Sequence, residues 1–147
     1  MIAGMGGPLM ERILKDGAKV REGFQELILQ PQSDLSHFRH FLSEIGWEIV
    51  REEMIKEDGK FYPMMKAVRN NSGKKTVYTE EEDWFGPLLL EKRHPVLKEY
   101  LLREEMIRKK ILAGLSGAES VSAKTRLAEV KEEMELIHTA LKRYESI

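Results

Sequence analysis

Two extended apolar segments, residues 47–55 and 61–68, are separated by a charged stretch that contains Asp58-Gly59. Asp-Gly between apolar runs favours a two-residue hairpin turn, because both turn residues can adopt the positive φ that the turn requires. The segments before the hairpin alternate between strands and helices, a pattern that predicts a parallel sheet with crossover helices. We therefore expect an α/β domain whose parallel strands end in an antiparallel hairpin.

The first part of the chain supplies the expected parallel strands. Met1–Ala3 is typical of the end of a buried strand, and a glycine-rich turn and a helix beginning near Pro8 follow it. The apolar run Leu27–Leu29 fits a second buried parallel strand. Residues 35–45 have the apolar spacing of a helix, with Gly46 just past its end. The apolar face of the first helix is predicted to consist of Leu9, Met10, Ile13 and Leu14.

Beyond Pro95 the sequence predicts two long helices, joined by a loop over residues 116–122. The heptad spacing of the second helix is typical of a coiled-coil seam. Two helices with a short connection form an antiparallel hairpin, and its seam is filled by the preceding helix or by another chain; both arrangements remain open. The predicted contact positions are Leu97, Tyr100, Ile107 and Ile111 on the first helix, and Ala123, Leu127, Val130, Met134, Ile137, Leu141 and Tyr144 on the second.

Composition excludes several classes of protein. The 24 basic and 25 acidic side chains nearly cancel, so net charge indicates no anionic partner. The sequence has no cysteine, which excludes disulfides, thiolate metal sites and cysteine nucleophiles and fits a cytoplasmic protein. No apolar run approaches the roughly 20 residues that span a bilayer. The four histidines lack the spacing of a metal site, so no metal is expected; they are His37, His40, His94 and His138.

Four sequence blocks in order resemble the bacterial tRNA (adenine-22-N1)-methyltransferases. Each block is short, but together they cover most of the chain, and a C-terminal helical hairpin follows them in that family as well. The blocks are Ile2–Gly7, Leu27–Pro31, Glu57–Tyr62 and Gly86-Pro87.

The resemblance implies a class I methyltransferase that uses S-adenosylmethionine, with tRNA as its substrate. It implies the distal half of a Rossmann-like sheet over residues 1–72, a linker and anchor over 73–94, and a helical hairpin of coiled-coil type over 95–147. The family's cofactor-binding strands would precede Met1, and this sequence contains neither their Asp-x-Gly motif nor the acidic residue that holds the ribose. We therefore expect a truncated enzyme, inactive alone, because a segment is missing or the chain begins at an internal methionine.

The expected site lies at the carboxyl ends of the first two strands, where open α/β sheets bind ligands. Methyl transfer to adenine N1 is a displacement, so positioning can supply much of the catalysis. The glycines either contact the base and cofactor through their backbone or only form the turn; both interpretations remain open. The residues predicted to position the target base are Gly4, Met5, Gly6, Gly7, Gln30, Pro31 and Gln32, and partial cofactor contacts are predicted at Ala3, Gly4 and Met5.

RNA contacts are expected from cations, which neutralise phosphates without reading sequence. Taken singly, each candidate is more typical of a solvated helix or hairpin, or for Tyr62 of a strand core, and the resemblance is what favours tRNA. The candidates are Lys60, Tyr62, Arg103, Arg108, Lys109, Lys110, Lys142 and Arg143. Self-association through the exposed first strand or the hairpin is a further expectation. The alternative to an enzyme is a non-catalytic RNA- or protein-interaction module built on the helical hairpin.

Overall fold

The computed structural model describes residues 2–17, 23 and 25–145 of the chain. These residues form two compact units that divide between His94 and Pro95. The first unit contains strands β1 (Ile2–Met5), β2 (Glu26–Pro31), β3 (Trp47–Glu57) and β4 (Lys60–Arg69), and helices α1 (Gly7–Asp16), α2 (Leu35–Glu44), α3 (Glu80–Phe85) and α4 (Pro87–Glu91). The second unit contains helices α5 (Pro95–Leu115) and α6 (Val121–Lys142).

The four strands form one sheet in the order β1-β2-β4-β3. Strands β1 and β2 are parallel, and β4 is antiparallel to both β2 and β3. Asp58 and Gly59 connect β3 to β4 with φ angles of 51° and 76°, as the Asp-Gly turn requires. The predicted α/β fold, with a parallel pair followed by an antiparallel hairpin, is thus confirmed.

Helices α1 and α2 cover one face of the sheet. Their apolar side chains join those of the strands in one buried cluster, which includes Met10, Phe38, Leu42, Leu29 and Met65. Crossover helices pack on a sheet because burying apolar surface is the main stabilising contribution to folding.

The opposite face of the sheet is exposed at several apolar positions. Ile28 is 45% exposed although Leu27 and Leu29 on either side of it are buried, and Ile55, next to the buried Met54, is 48% exposed. The expectation that all of Leu27–Leu29 is buried is therefore wrong for Ile28, because β2 is covered on one face alone. A cavity of about 210 Å³ lies on this side of the sheet, lined by Ile28, Arg51, Glu52, Glu53, Met64, Met65 and Lys66.

The predicted apolar face of α1 is only half correct. Met10 and Leu14 are buried, whereas Leu9 is 47% exposed and Ile13 is 41% exposed. A helix of 10 residues packed on one sheet face buries a narrow stripe, so apolar residues beside that stripe remain in solvent.

In the second unit the two helices run antiparallel. Glu105 contacts His138 at 2.9 Å and Arg108 contacts Glu133 at 3.6 Å, so positions advance along α5 as they recede along α6. Val130, Met134 and Ile137 are buried in α6, as the heptad spacing predicts.

The contact stripe of α5 differs from the prediction. Ile107 is 41% exposed, and Leu101 is fully buried instead. The protected positions of α5 have heptad spacing. Two of them are charged, Glu104 and Arg108, and the others are Leu97, Leu101 and Ile111. The prediction was wrong at Ile107 because it assumed that every contact position is apolar, whereas ion pairs occupy the middle of the stripe.

Candidate functional site

The carboxyl ends of β1 and β2 meet at one edge of the sheet. Met5 is paired with Pro31, the backbone N–H of Gln32 donates to the carbonyl of Met5 at 2.9 Å, and the N–H of Gly7 donates to the carbonyl of Ser33 at 3.1 Å. The structure therefore brings the two predicted segments, 4–7 and 30–32, side by side. We call this edge the rim.

Gly6 and Gly7 are needed for the close approach of the two loops at the rim. A Cβ atom on Gly6 would lie 2.6 Å from Oγ of Ser33, and one on Gly7 would lie 2.5 Å from the carbonyl oxygen of Ser33. Both distances are far shorter than van der Waals contact between carbon and oxygen. The space beside these two glycines is occupied by Ser33, an interaction that the sequence pattern did not predict.

Polar groups next to the glycines face solvent at the rim. Gln32, Ser33 and Asp34 are all exposed, and Asp34 has a φ of 50°, in the left-handed region that few non-glycine residues adopt. The rim therefore combines close backbone approach with an amide, a hydroxyl and a carboxylate that a ligand could reach.

The turn of the β-hairpin lies at the same edge of the sheet as the rim. Leu29, near the carboxyl end of β2, is paired with Met65, and β4 runs antiparallel to β2. The residues that precede Met65 in β4, including Lys60 and Tyr62, therefore lie beyond the carboxyl ends of the parallel strands. Lys60 is exposed and Tyr62 is half-buried.

A second polar site lies between α1 and α2. Nδ1 of His37 contacts the carboxylate of Glu11 at 2.8 Å and 3.1 Å, and the Glu11 side chain is only 10% exposed. Because the two residues are 26 positions apart, helical spacing along either helix could not reveal the pair.

A buried ion pair fixes the segment that contains α3 and α4. Arg39 and Glu52 have side chains only 1% and 0% exposed, and their charged atoms lie 3.1 Å apart. Arg39 also donates to the carbonyls of Asp83 at 2.8 Å and Trp84 at 3.1 Å, and Glu52 accepts from the N–H of Leu88 at 3.0 Å. One pair of charges thus holds the end of α3 and the start of α4 against the sheet.

Gly86 is enclosed by the same ion pair. Its φ is 96°, and a Cβ atom there would lie 2.5 Å from the Glu52 carboxylate. Nearby, burial raises the pKa of Asp83, while a hydrogen bond from Lys92 lowers the pKa of the more exposed Glu53. The Gly86-Pro87 block is therefore explained by local packing.

The predicted RNA-binding cations of the helical unit differ in their availability. Arg108 is 14% exposed at its side chain and contacts Glu104 at 3.0 Å and Glu133 at 3.6 Å. Arg103 stacks on Tyr100, whose pKa is raised by burial and by the Glu104 carboxylate. The more exposed candidates in this unit are Lys109, Lys110, Lys142 and Arg143.

The described residues contain no group of three or more His, Asp or Glu side chains that could hold a metal ion. Each histidine instead contacts a carboxylate: His40 lies 3.4 Å from Glu44, and His94 lies 3.4 Å from Glu53. Across the same described ranges, no helix is long and apolar enough to cross a membrane.

Comparisons with known proteins place this geometry in a class and then in a family. A Streptococcus agalactiae protein of the NADB-Rossmann superfamily matches with a TM-score of 0.83 and 26% identity, over 95% of this chain and 57% of its own. The chain therefore has a Rossmann-like fold. A sequence model described as tRNA (adenine(22)-N(1))-methyltransferase matches residues 1–139, and the chain belongs to that family. The predicted family is thus confirmed.

Two further relatives are informative. The Bacillus subtilis tRNA (adenine(22)-N(1))-methyltransferase is 29% identical over 139 residues, which are 92% of this chain and 58% of that protein. A Streptococcus pneumoniae protein solved in complex with S-adenosyl-L-methionine has a TM-score of 0.80 and 24% identity, over 95% of this chain and 59% of its own. The chain thus spans less than two thirds of the length of these relatives.

Proposed function

We propose that this chain forms the target-base side of an S-adenosylmethionine-dependent tRNA (adenine-N1)-methyltransferase of the cytoplasm. The observation that carries the proposal is the junction of segments 4–7 and 30–32 at the rim, in a chain that belongs to the family. The cofactor-binding side would come from polypeptide equivalent to the part of the relatives that this chain does not match. Alone, the chain would not transfer methyl groups. No observation favours a purely non-catalytic module.

The rim residues suit a reaction governed by positioning. When bound, S-adenosylmethionine would supply an electrophilic methyl group: the N1 lone pair of adenine would form the C–N bond as the bond between sulfur and the methyl carbon breaks, and the neutral thioether would leave with that electron pair. The exposed amide of Gln32 and the backbone of Gly4 and Met5 can orient the base through hydrogen bonds, and Ala3 would extend the cofactor side. Gly6 and Gly7 would act indirectly by letting Ser33 close the rim. Gln30 and Pro31 fix the end of β2 beside them.

The arrangement of the rim is what would fit a cofactor. Hydrogen bonds between the two loops bring their main-chain groups together near the ends of both strands, where Rossmann-like sheets bind ligands. Ser33 fills the space that a side chain on Gly6 or Gly7 would take, so a ligand cannot approach these glycines from that direction. Direct contact with the base or cofactor is proposed for Gly4, Met5 and Gln32.

For tRNA, we propose contacts at the hairpin and along the helical unit. Lys60 and Tyr62 would contact RNA near the target base, because they lie beyond the carboxyl ends of the strands. An arm formed by α5 and α6, packed as a coiled coil, would bind other phosphates through Arg103, Lys109, Lys110, Lys142 and Arg143. Arg108 would keep the arm rigid. Functionally the chain would divide into a sheet domain (1–72), an anchor segment (73–94) and this arm (95–147).

A chimera tests the proposed function. This chain replaces the region that it matches in the Bacillus subtilis relative, and methyl transfer from S-adenosylmethionine to tRNA is measured by mass spectrometry of the nucleosides. We expect N1-methyladenosine from the chimera and none from the 147-residue chain alone. Gln32→Ala should lower kcat by one to two orders of magnitude, roughly the contribution of a positioning hydrogen bond. A folded chimera that binds the cofactor but methylates nothing would contradict the proposal.

The exposed sheet face gives a second test. If relatives cover this face with the polypeptide that this chain lacks, Ile28→Glu should change the free energy of unfolding of the chain alone by no more than about 0.5 kcal/mol. In the chimera the same substitution would bury a carboxylate and should cost at least about 2 kcal/mol.

Ile13→Glu is the matched control, because Ile13 has similar exposure but lies on α1, on the covered side of the sheet. It should have the same small effect in both proteins. An equal effect of Ile28→Glu in the chain and the chimera would argue against a covered face. Left uncovered, this face and β1 would favour self-association of the chain, as would the hairpin, and light scattering measures it.

A further inference from the structure

The facing sides of α1 and α2 enclose a groove that the proposed function does not use. Its cavity measures about 280 Å³. Both helices begin at the rim, at Gly7 and Leu35, so one end of the groove lies beside the proposed target-base site. The lining residues are Pro8, Glu11, Arg12, Lys15 and Asp16 from α1, and His37 and Phe41 from α2.

Glu11 orients the imidazole of His37. A carboxylate can only accept hydrogen bonds, so Nδ1 of His37 carries the proton and Nε2 is left for another partner. The His37 side chain is 74% exposed, whereas that of Glu11 is 10% exposed. Both oxygens of the Glu11 carboxylate lie close to Nδ1 of His37, Oε1 at 2.8 Å and Oε2 at 3.1 Å, so the carboxylate holds the ring in one orientation.

Two cations border the same groove. Lys15 lies 5.6 Å from the ring centroid of Phe41, which holds its ammonium group over the groove. Within the described part of the chain, neither Arg12 nor Lys15 is paired with a carboxylate. The carboxylate of Glu11 is only 10% exposed and is held by His37, so the two cations are the charged side chains that a ligand in the groove could contact together with Asp16.

We propose that this groove binds a phosphate group of the RNA backbone next to the target adenine. Arg12 and Lys15 would neutralise the charge of the phosphate, and the exposed ring of His37, held in place by Glu11, would contact it through the Nε2 edge. The inference rests on the proposed function, because RNA reaches the groove only if its target base lies at the rim. Such a contact fixes the position of the RNA and carries no sequence information.

The test compares tRNA binding by the full chain and by the double variant Arg12→Ala/Lys15→Ala over a range of salt concentrations. Loss of two phosphate contacts should weaken binding and make the slope of log K against log salt shallower by about 1.4 to 1.8. The double variant Lys74→Ala/Lys75→Ala, which removes two exposed lysines of the anchor segment, should leave the slope unchanged. Thermal melting checks that all variants are folded.

Kinetics of the chimera separate this inference from the proposed function. There, Arg12→Ala/Lys15→Ala and His37→Ala should raise KM for tRNA and leave kcat unchanged, since the groove holds backbone and not the reacting base. Methyl transfer with an unaltered KM would overturn the proposal that the groove binds RNA and leave the proposed function standing. An inactive chimera whose RNA binding still depends on the groove would support the groove and contradict the proposed function.

Inorganic phosphate distinguishes an RNA site from a small-anion site. At constant ionic strength, millimolar phosphate should not displace tRNA, because a single phosphate lacks the other contacts of the RNA. Displacement that disappears in the double variant would show that the groove binds free phosphate and would overturn the assignment to RNA.

Discussion

Replacing Arg39 with leucine is expected to lower the free energy of unfolding of the sheet unit by about 3 to 5 kcal/mol. Arg39 and Glu52 are almost fully buried, so removing the guanidinium leaves a carboxylate in the protein interior without its counter-charge. The carbonyls of Asp83 and Trp84 would also lose their donor. Few single substitutions elsewhere in the chain should have a comparable effect.

The measurement is well suited to this chain. Both tryptophans, Trp47 and Trp84, belong to the sheet unit, so their fluorescence during urea unfolding reports on that unit alone. Circular dichroism at 222 nm also follows the helical unit, whose transition should not move.

The double variant Arg39→Leu/Glu52→Leu supplies the control. It removes both charges, so it should be more stable than Arg39→Leu, although the N–H of Leu88 loses its acceptor. A double-mutant cycle then gives the coupling energy of the pair. A loss below about 1 kcal/mol for Arg39→Leu would show that water or a rearranged side chain compensates Glu52.

Gly7→Ala is expected to destabilise the sheet unit by about 1 to 3 kcal/mol and to lower the rate of methyl transfer in the chimera about a hundredfold. The added methyl group would lie 2.5 Å from the backbone carbonyl of Ser33, so the two loops of the rim must move apart. A shift of about 1 Å at a reacting centre can cost about a hundredfold in rate.

Gly6→Ala is the matched comparison, because its Cβ would meet the Oγ atom of Ser33 and not the backbone. Adding Ser33→Ala should therefore restore stability to the Gly6 variant but not to the Gly7 variant. Equal rescue of both variants would mean that the backbone contact of Gly7 can relax. Urea unfolding followed by tryptophan fluorescence measures both cases.

The elements of this fold follow from local rules. Asp58-Gly59 specifies the hairpin, Pro8 suits the start of α1, and the heptad spacing specifies α6, because each pattern depends on residues close in sequence. These features were predicted correctly without any contact between distant residues.

The errors share a different cause. Ile28, Ile13 and Ile107 were predicted to be buried, but periodicity identifies an apolar position and not whether another element covers it. The Arg39–Glu52 and Glu11–His37 pairs were not predicted at all. Charged residues in a helix or strand are usually solvated, and nothing in their spacing shows that a partner lies on another element.

The Arg108–Glu133 ion pair fixes how α5 and α6 of the arm are aligned. Sliding one helix by a heptad would part Arg108 from Glu133 and bury its guanidinium beside apolar side chains, so the packing has one alignment. The 21 residues of α5 then form a spacer of about 32 Å whose length cannot adjust. If the proposed function is correct, the cations of this arm would meet RNA phosphates at a constant separation, which suits a molecule recognised by its dimensions.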